Sequence, residues 1–267
     1  MFKGLTKVTF TNLKKVLYPG LQIKKLQIIE YYIKIAPKIL EILSNRPISL
    51  TRYPNGINQE GFFVKNAPIG TPDWVKTFRK FSKTTHREIN YILCNELDTL
   101  LWLANLAALE IHIALSKADS FENPDLVLID MDPKPPITFD KVISSALLIK
   151  EKLDILGLLS FVKTSGKKGL HIVIPIIKGY TFKETREFVR STGRQTARES
   201  EIVVSEKSQS RNSGVIFIDY TQNSHSRTMV SPYTLRATPL ATVSTPLDWR
   251  DLHIETGGLH VDYEPAD

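Results

Sequence analysis

Two aspartates, Asp130 and Asp132, close a short apolar run at residues 126–129 within the stretch ENPDLVLIDMDPKPP. Bounded by turn residues, the run reads as a strand buried on both faces. Side chains alternate along a strand, so the two carboxylates share one face and Met131 takes the other. Like charges that close repel unless a cation lies between them. The pair is therefore a candidate ligand set for a hard, oxygen-preferring ion such as Mg²⁺ or Mn²⁺. A D-x-D at a strand end also suits a solvated turn, so a second stretch matters. Residues 215–219 (VIFID) form another β-branched and aromatic run ending in an aspartate, Asp219. If the two strands are neighbours in one sheet, three carboxylates converge, as metal-assisted phosphoryl or nucleotidyl transfer requires.

Other residues have anion-binding chemistry. The loop SGKKG (165–169) lies between expected strands at 160–164 and 170–177. Its glycines, Ser165 and two lysines, Lys168 among them, could wrap a triphosphate with backbone N–H groups and cations. His171 follows on the second strand. His112 sits on an alternating stretch, 109–116, with Ile111, Ile113 and Leu115 on the opposite face; a lone strand histidine is more often structural than functional. Near the N-terminus, Asn12, Lys15 and Lys25 are expected to cluster, and two ammonium groups with an amide could hold a terminal phosphate. Phe62 and Phe63 are adjacent in an expected hairpin strand, so both cannot face the core, and an exposed one beside Lys65 could stack on a base. Residues 73–87 carry Lys76, Arg79, Lys80, Lys83 and Arg87 among aromatics and read as a basic hairpin or loop for a nucleic-acid backbone.

The elements that position these groups follow from pattern. Helices are expected at 24–43, bending at Pro37, at 95–106 with Asn95 or Asp98 as cap, at 138–157 ended by Gly157, and at roughly 181–198. Residues 201–214 read as a polar connection. The chain has 267 residues, 42% hydrophobic and 24% charged, ordinary for a globular protein. A single cysteine, Cys94, excludes an internal disulfide and cysteine-rich zinc sites. No apolar run reaches the length of a membrane span and the N-terminus lacks a secretory core, which points to the cytosol. The net charge of +7 is uneven: residues 1–90 hold 16 Lys/Arg against 5 Asp/Glu, the rest 19 against 23. That asymmetry suggests a polyanion-binding front, nucleic acid first, on a more neutral body.

Taken together, DLVLIDMDP (125–133), TSGKKGLH (164–171), IFIDYTQN (216–223) and PYTLRA (232–237), preceded by LTRYPNGINQEGFFVKNAP (50–68), resemble the polymerase domain of bacterial ligase D. That family belongs to the archaeo-eukaryotic primase superfamily and works in non-homologous end joining. The likeness covers nearly the whole chain. It implies metal ligands and catalytic residues at Asp130, Asp132 and Asp219, and nucleotide contacts at His112, Ser165, Lys168, His171 and Arg236. It further implies a 5′-phosphate pocket at Asn12, Lys15 and Lys25 and template stacking by Phe62 and Phe63; Lys65, Arg79, Lys83 and Arg211 are candidate DNA contacts by their charge and place in the sequence. One departure is visible: the family usually has a basic residue seven positions before the third aspartate, where this chain has Asn212, beside Arg211.

The expectation is an α/β (α+β) primase-like domain over 1–267: a basic DNA-end-binding subregion at 1–90, a catalytic core at 91–245 with a central mixed or antiparallel sheet flanked by helices, and an extension at 246–267. The resemblance implies a template-directed nucleotidyltransferase that fills gaps at broken DNA ends with two Mg²⁺ or Mn²⁺ ions, taking NTPs in preference to dNTPs. Its substrates would be ends with a recessed 5′-phosphate, and its partners a separately encoded DNA ligase and a Ku-like protein. A primase that starts chains, a non-catalytic end-binding module and a metal-dependent nuclease or phosphatase are the rival readings.

Overall fold

Pro19 and Gly20 turn β1 (Val16–Tyr18) through a 3₁₀ turn into β2 (Ile23–Lys24), its antiparallel partner. The computed structural model describes residues 6–82 and 86–252; Lys83 lies outside the described residues. Helix α1 (Lys25–Leu43) buries Ile28, Ile29, Tyr32, Ala36, Ile39 and Leu43, a stripe at helical spacing, and carries Pro37 in its interior. There follow β3 (Pro47–Arg52), β4 (Phe62–Val64), β5 (Thr77–Ser82), β6 (Arg87–Leu93), α2 (Leu97–Asn105) and β7 (Ala108–Ala114). The basic stretch expected as a hairpin or loop is the β5–β6 pair, in antiparallel register.

Beyond these come β8 (Leu126–Pro133), α3 (Phe139–Ile155), β9 (Phe161–Thr164), β10 (Leu170–Pro175), α4 (Phe182–Glu199), β11 (Val203–Val204), β12 (Ile216–Ile218), β13 (Thr228–Val230) and β14 (Pro246–Leu247). Gly157, with φ +67, follows the end of α3, the left-handed position that glycine fills without strain. Thr181 and Glu184 cap the start of α4 reciprocally.

The chain divides into two compact units. One holds the described residues up to Pro124 with Ser226–Ser244; the other holds Asp125–His225 with those from Thr245 onward. The first unit's sheet has the order β13-β7-β3-β6-β5 with β4 paired on β3, all antiparallel. The second unit's sheet has the order β11-β12-β8-β10-β9-β14, antiparallel except for the parallel pair β11–β12. Its core joins Val127, Ile129 and Met131 of β8 to Val142, Ile143, Ala146 and Ile149 of α3 and Val189 of α4. One face of β8 is thus filled by apolar packing, and Asp130 and Asp132 stand on the other.

Three local expectations change. Helix α2 packs on α1 and β7 in the first unit rather than against the carboxylate sheet, because the tight turn at Leu106–Ala107 leads it directly into β7. Its N-cap is Glu96, which makes no side-chain cap. Asn95 instead accepts from the Asn45 backbone N–H (2.8 Å), and Asp98 from Thr6 Oγ1. The polar connection at 201–214 contains strand β11, whose two buried valines are too few to show a period in sequence.

Candidate active site

Strand β8 lies between β12 and β10, and its register decides what its aspartates meet. Phe217 pairs with Asp132, Ile218 with Met131, and His171 with Asp130. One residue beyond the ladder, the Asp219 backbone N–H donates to the Asp130 carbonyl at 2.9 Å. Asp219 therefore stands beside Asp130, and ligand atoms of Asp130, Asp132 and Asp219 all lie within 4.8 Å of one another.

The residues after β12 hold this arrangement. Asp219 begins a 3₁₀ turn (Tyr220–Gln222), and its Oδ1 accepts from the Thr221 N–H (3.0 Å) and hydroxyl (2.6 Å). Oδ2 accepts from Gln222 Nε2 at 2.8 Å. Asn223 is fully buried; its amide accepts from Leu128 N–H (2.9 Å) and donates to Leu128 C=O (2.6 Å), standing in for a strand where β12 has ended. The run Asp219, Thr221, Gln222, Asn223 thus contains one candidate ligand, two groups that orient it and one that pins the turn to β8.

The electrostatics follow from like charge. Burial, then the Asp130 and Asp219 carboxylates, push the Asp132 carboxyl from its ordinary value near 3.8 up to about 6, with Lys134 opposing. Three carboxylates whose oxygen donors cluster this closely fit a hard divalent cation.

The glycine loop lies against the same strand. The Ser165 N–H donates to Gly169 C=O at 2.8 Å, and Ser165 Oγ accepts from the N–H groups of Lys167 (3.2 Å) and Gly169 (3.1 Å). Gly166 has φ +70, and a Cβ on Gly169 would sit 2.1 Å from the Met131 carbonyl oxygen. Only glycine lets this loop approach β8 so closely. Lys167 and Lys168 are exposed and line a cavity of about 430 Å³ with Pro133, Pro135, Pro136, Ile137 and Phe139. His171 is buried, with Nε2 3.3 Å from Asp130 Oδ1 and Nδ1 3.0 Å from Lys163 Nζ.

In the first unit, His112 and Arg236 share a partner. Glu110, 4% exposed, accepts from Arg236 Nε (3.1 Å) and the Ala237 N–H (3.2 Å) on Oε1, and its Oε2 lies 3.4 Å from His112 Nε2. Thr51 Oγ1 also approaches His112 Nε2 at 3.4 Å, and the Phe63 ring meets the imidazole edge to face at 5.8 Å.

The family model for the LigD primase-polymerase domain matches residues 24–264. This chain belongs to that family. It is 33% identical over 248 residues to the bifunctional non-homologous end joining protein LigD of Bacillus subtilis, covering 92% of this chain and 39% of that protein. It is 31% identical over 257 residues to the multifunctional LigD of Mycobacterium tuberculosis, covering 92% and 33%. The chain thus spans roughly a third to two fifths of the curated LigD relatives it matches. The solved polymerase domain of Mycobacterium tuberculosis ligase D in complex with DNA superposes with a TM-score of 0.85 at 28% identity, covering 92% of this chain and 88% of that one.

The remaining residues singled out from the sequence have definite surroundings. Both Phe62 and Phe63 are exposed, at 46% and 52%, because β4 is a three-residue strand that, among the described residues, pairs only on β3; the Arg52 guanidinium lies 5.3 Å over the Phe62 ring. Asn12, in the left-handed region with φ 53, accepts from the Lys15 N–H, and Lys15 C=O accepts from the Lys25 N–H, so backbone bonds gather the three. Lys15 Nζ donates to Asn55 Oδ1 at 2.9 Å. Lys25 is buried rather than exposed. Its ammonium donates to the carbonyls of Thr11 (3.0 Å) and Asn105 (2.8 Å), and burial, then Lys15 and Arg52, lower its pKa. Lys65 donates to Ser226 C=O, Arg79 is exposed beside Glu88, and Arg211 and Asn212 are both exposed.

Sequence reasoning passed over Glu110, Lys163, Thr221, Gln222 and Asn223. A lysine inside the short strand FVKT was a legible signal. So was Glu110, two residues before His112 and therefore on its face.

Proposed function

We propose that this chain is a template-directed nucleotidyltransferase that extends or fills gaps at DNA double-strand break ends in non-homologous end joining, with divalent cations and a preference for ribonucleotides. What carries the reading is the convergence of Asp130, Asp132 and Asp219 within 4.8 Å. Membership of the LigD primase-polymerase family and the likeness to a polymerase domain described in complex with DNA support it.

Two Mg²⁺ or Mn²⁺ ions at the three aspartates would activate a primer 3′-hydroxyl and neutralise charge on the departing pyrophosphate. Thr221 and Gln222 hold Asp219 in place, so little reorganisation is needed when substrate arrives. Ser165, Lys168 and His171 serve the triphosphate; Lys167 and Lys168 are exposed on the loop, which is folded on itself through Ser165. Arg236 and His112 also serve the nucleotide, with Glu110 fixing both. Asn12, Lys15 and Lys25 take the 5′-phosphate of a recessed end, Lys25 anchoring the pocket with two of its three hydrogens given to backbone carbonyls. Exposed Phe62 and Phe63 stack on template bases, and Lys65, Arg79 and Arg211 track the backbone, all but Arg211 in the unit that contains the basic first 90 residues.

The test is extension of a gapped, 5′-phosphorylated duplex with NTPs against dNTPs in Mg²⁺ or Mn²⁺, beside an unprimed template. Primer-dependent extension that favours NTPs, lost in Asp130→Ala while gapped-DNA binding survives, is expected. Extension equal in Asp130→Ala, or release of mononucleotides without added NTP, would overturn the reading.

A further inference from the structure

Lysine is among the side chains least often found fully buried without a partner, yet Lys163 is 3% exposed in the middle of β9. The strand register explains its place. Lys163 stands opposite His171 across β9–β10, and His171 stands opposite Asp130 across β10–β8. Asp219 then continues the row through its N–H bond to the Asp130 carbonyl. Lys163, His171, Asp130 and Asp219 thus form one line across four neighbouring segments of the sheet.

The contacts along this line have a direction. A lysine ammonium has hydrogens only to give, and Lys163 Nζ lies 3.0 Å from His171 Nδ1 and 3.5 Å from the Thr164 carbonyl. Nδ1 must therefore accept, which puts the proton of a neutral imidazole on Nε2. Nε2 faces Asp130 Oδ1 at 3.3 Å, so the ring donates to the carboxylate. A lysine present only to fill space would be replaced with less desolvation cost by methionine or leucine, whereas one that selects a tautomer must be a donor.

We infer that Lys163 is a positioning residue: it fixes His171 as the Nε2–H tautomer, and His171 in turn orients the Asp130 carboxylate for cation binding. The inference rests on the nucleotidyl-transfer reading for its purpose, but the wiring can be tested without any turnover. Partners that orient a metal ligand from behind commonly change metal affinity about 10- to 100-fold when removed.

The experiment uses the full chain with ¹⁵N-labelled histidine. Long-range ¹H–¹⁵N correlation spectra, assigned with His171→Gln, report the tautomer; Mn²⁺ titration by calorimetry or electron paramagnetic resonance reports affinity. Wild type should show the Nε2–H form. Lys163→Met should lose that fixed tautomer and bind Mn²⁺ about tenfold more weakly, and Lys163→Arg, which keeps a donor, should restore both. In a His171→Gln background, Lys163→Met should cost less than twofold further. An Nδ1–H tautomer in wild type overturns the inference, and this readout does not depend on a folded Lys163 variant. Mn²⁺ affinity within twofold of wild type in a folded Lys163→Met protein overturns it equally. If Asp130→Asn leaves Mn²⁺ binding intact, the carboxylate site itself fails; if Asp130→Asn abolishes binding and Lys163→Met does not, only this inference fails.

Discussion

Strands β7 and β8 each set two ionisable side chains two residues apart on one face, Glu110 and His112 on the first, Asp130 and Asp132 on the second, and the two pairs meet opposite surroundings. On β7 the charges are complementary, and Arg236 and the Ala237 N–H complete the set around Glu110. On β8 a third carboxylate, Asp219, joins two others, and burial with like charge drives Asp132 up to about 6. The β7 cluster is nearly satisfied by its own side chains, which suits a group that holds others still. The β8 cluster accumulates negative charge that folding alone would disfavour, which suits a place where cations are supplied from outside.

The largest effects should come from breaking each cluster at its centre. Asp219→Asn removes a candidate ligand while keeping the shape of the turn. Primer extension should fall by about three orders of magnitude or more, by analogy with the loss of a major electrostatic contribution in other active sites, with the melting temperature nearly unchanged. Single-turnover extension beside thermal unfolding measures both. On β7 the balance reverses. Glu110→Ala leaves the buried Arg236 charge without its carboxylate and should cost about 3–5 kcal/mol of stability, read by urea unfolding. Glu110→Gln, which retains an acceptor for Arg236 Nε, should lose less than half of that. Equal losses for Ala and Gln would mean that the carboxylate charge, not the retained acceptor, is what Glu110 contributes.

Gly169 sharpens the comparison from the backbone side. A methyl group there would sit 2.1 Å from the Met131 carbonyl oxygen, a backbone atom, so the loop or the strand would have to shift. Gly169→Ala should cost about 1–3 kcal/mol as overpacking and raise the KM for nucleotide more than it lowers kcat. A KM unchanged from wild type would separate the loop from triphosphate binding.

How much of this was legible beforehand depended on the kind of signal. The carboxylates were, because alternation puts Asp130 and Asp132 on one face whatever surrounds them, and a β-branched run ending in Asp219 looked like a second strand. Their adjacency was not; it comes from a ladder between residues some 85 positions apart, 132 and 217, which no local pattern encodes. Adjacent Phe62 and Phe63 signalled at least one exposed ring, and the edge position of β4 exposes both. The clustering of Lys25 with Asn12 and Lys15 was legible, but its burial and the ammonium's bonds to the Thr11 and Asn105 carbonyls were not, the second lying 80 positions away. Glu110 and Lys163 stood out as charged residues within strands, but their partners did not: Arg236 lies 126 positions from Glu110, and His171 meets Lys163 only through the β9–β10 register. Division into two sheets was also invisible locally, since β13 and β14 rejoin earlier strands across long separations.

The smallest effect is the most specific test of the repulsion on β8. A carboxyl whose pKa is raised on folding binds its proton more tightly in the folded state. Stability is therefore gained as pH falls through about 6 toward the ordinary value near 3.8, and lost again as pH rises through that window. Without added metal, moving from pH 7.5 to 5 should stabilise the second unit by about 1 kcal/mol after allowing for solvent screening at a partly exposed group. Asp132→Asn should abolish that gain and be more stable than wild type at pH 7.5, since it removes one of three like charges. Saturating Mn²⁺ should reverse the slope, because protons then compete with the cation for the same oxygens. Thermal melts of both proteins across this range, with and without Mn²⁺, measure all three. A wild-type slope unchanged by Asp132→Asn would place the pH dependence elsewhere and remove the main electrostatic evidence that these carboxylates form a cation site.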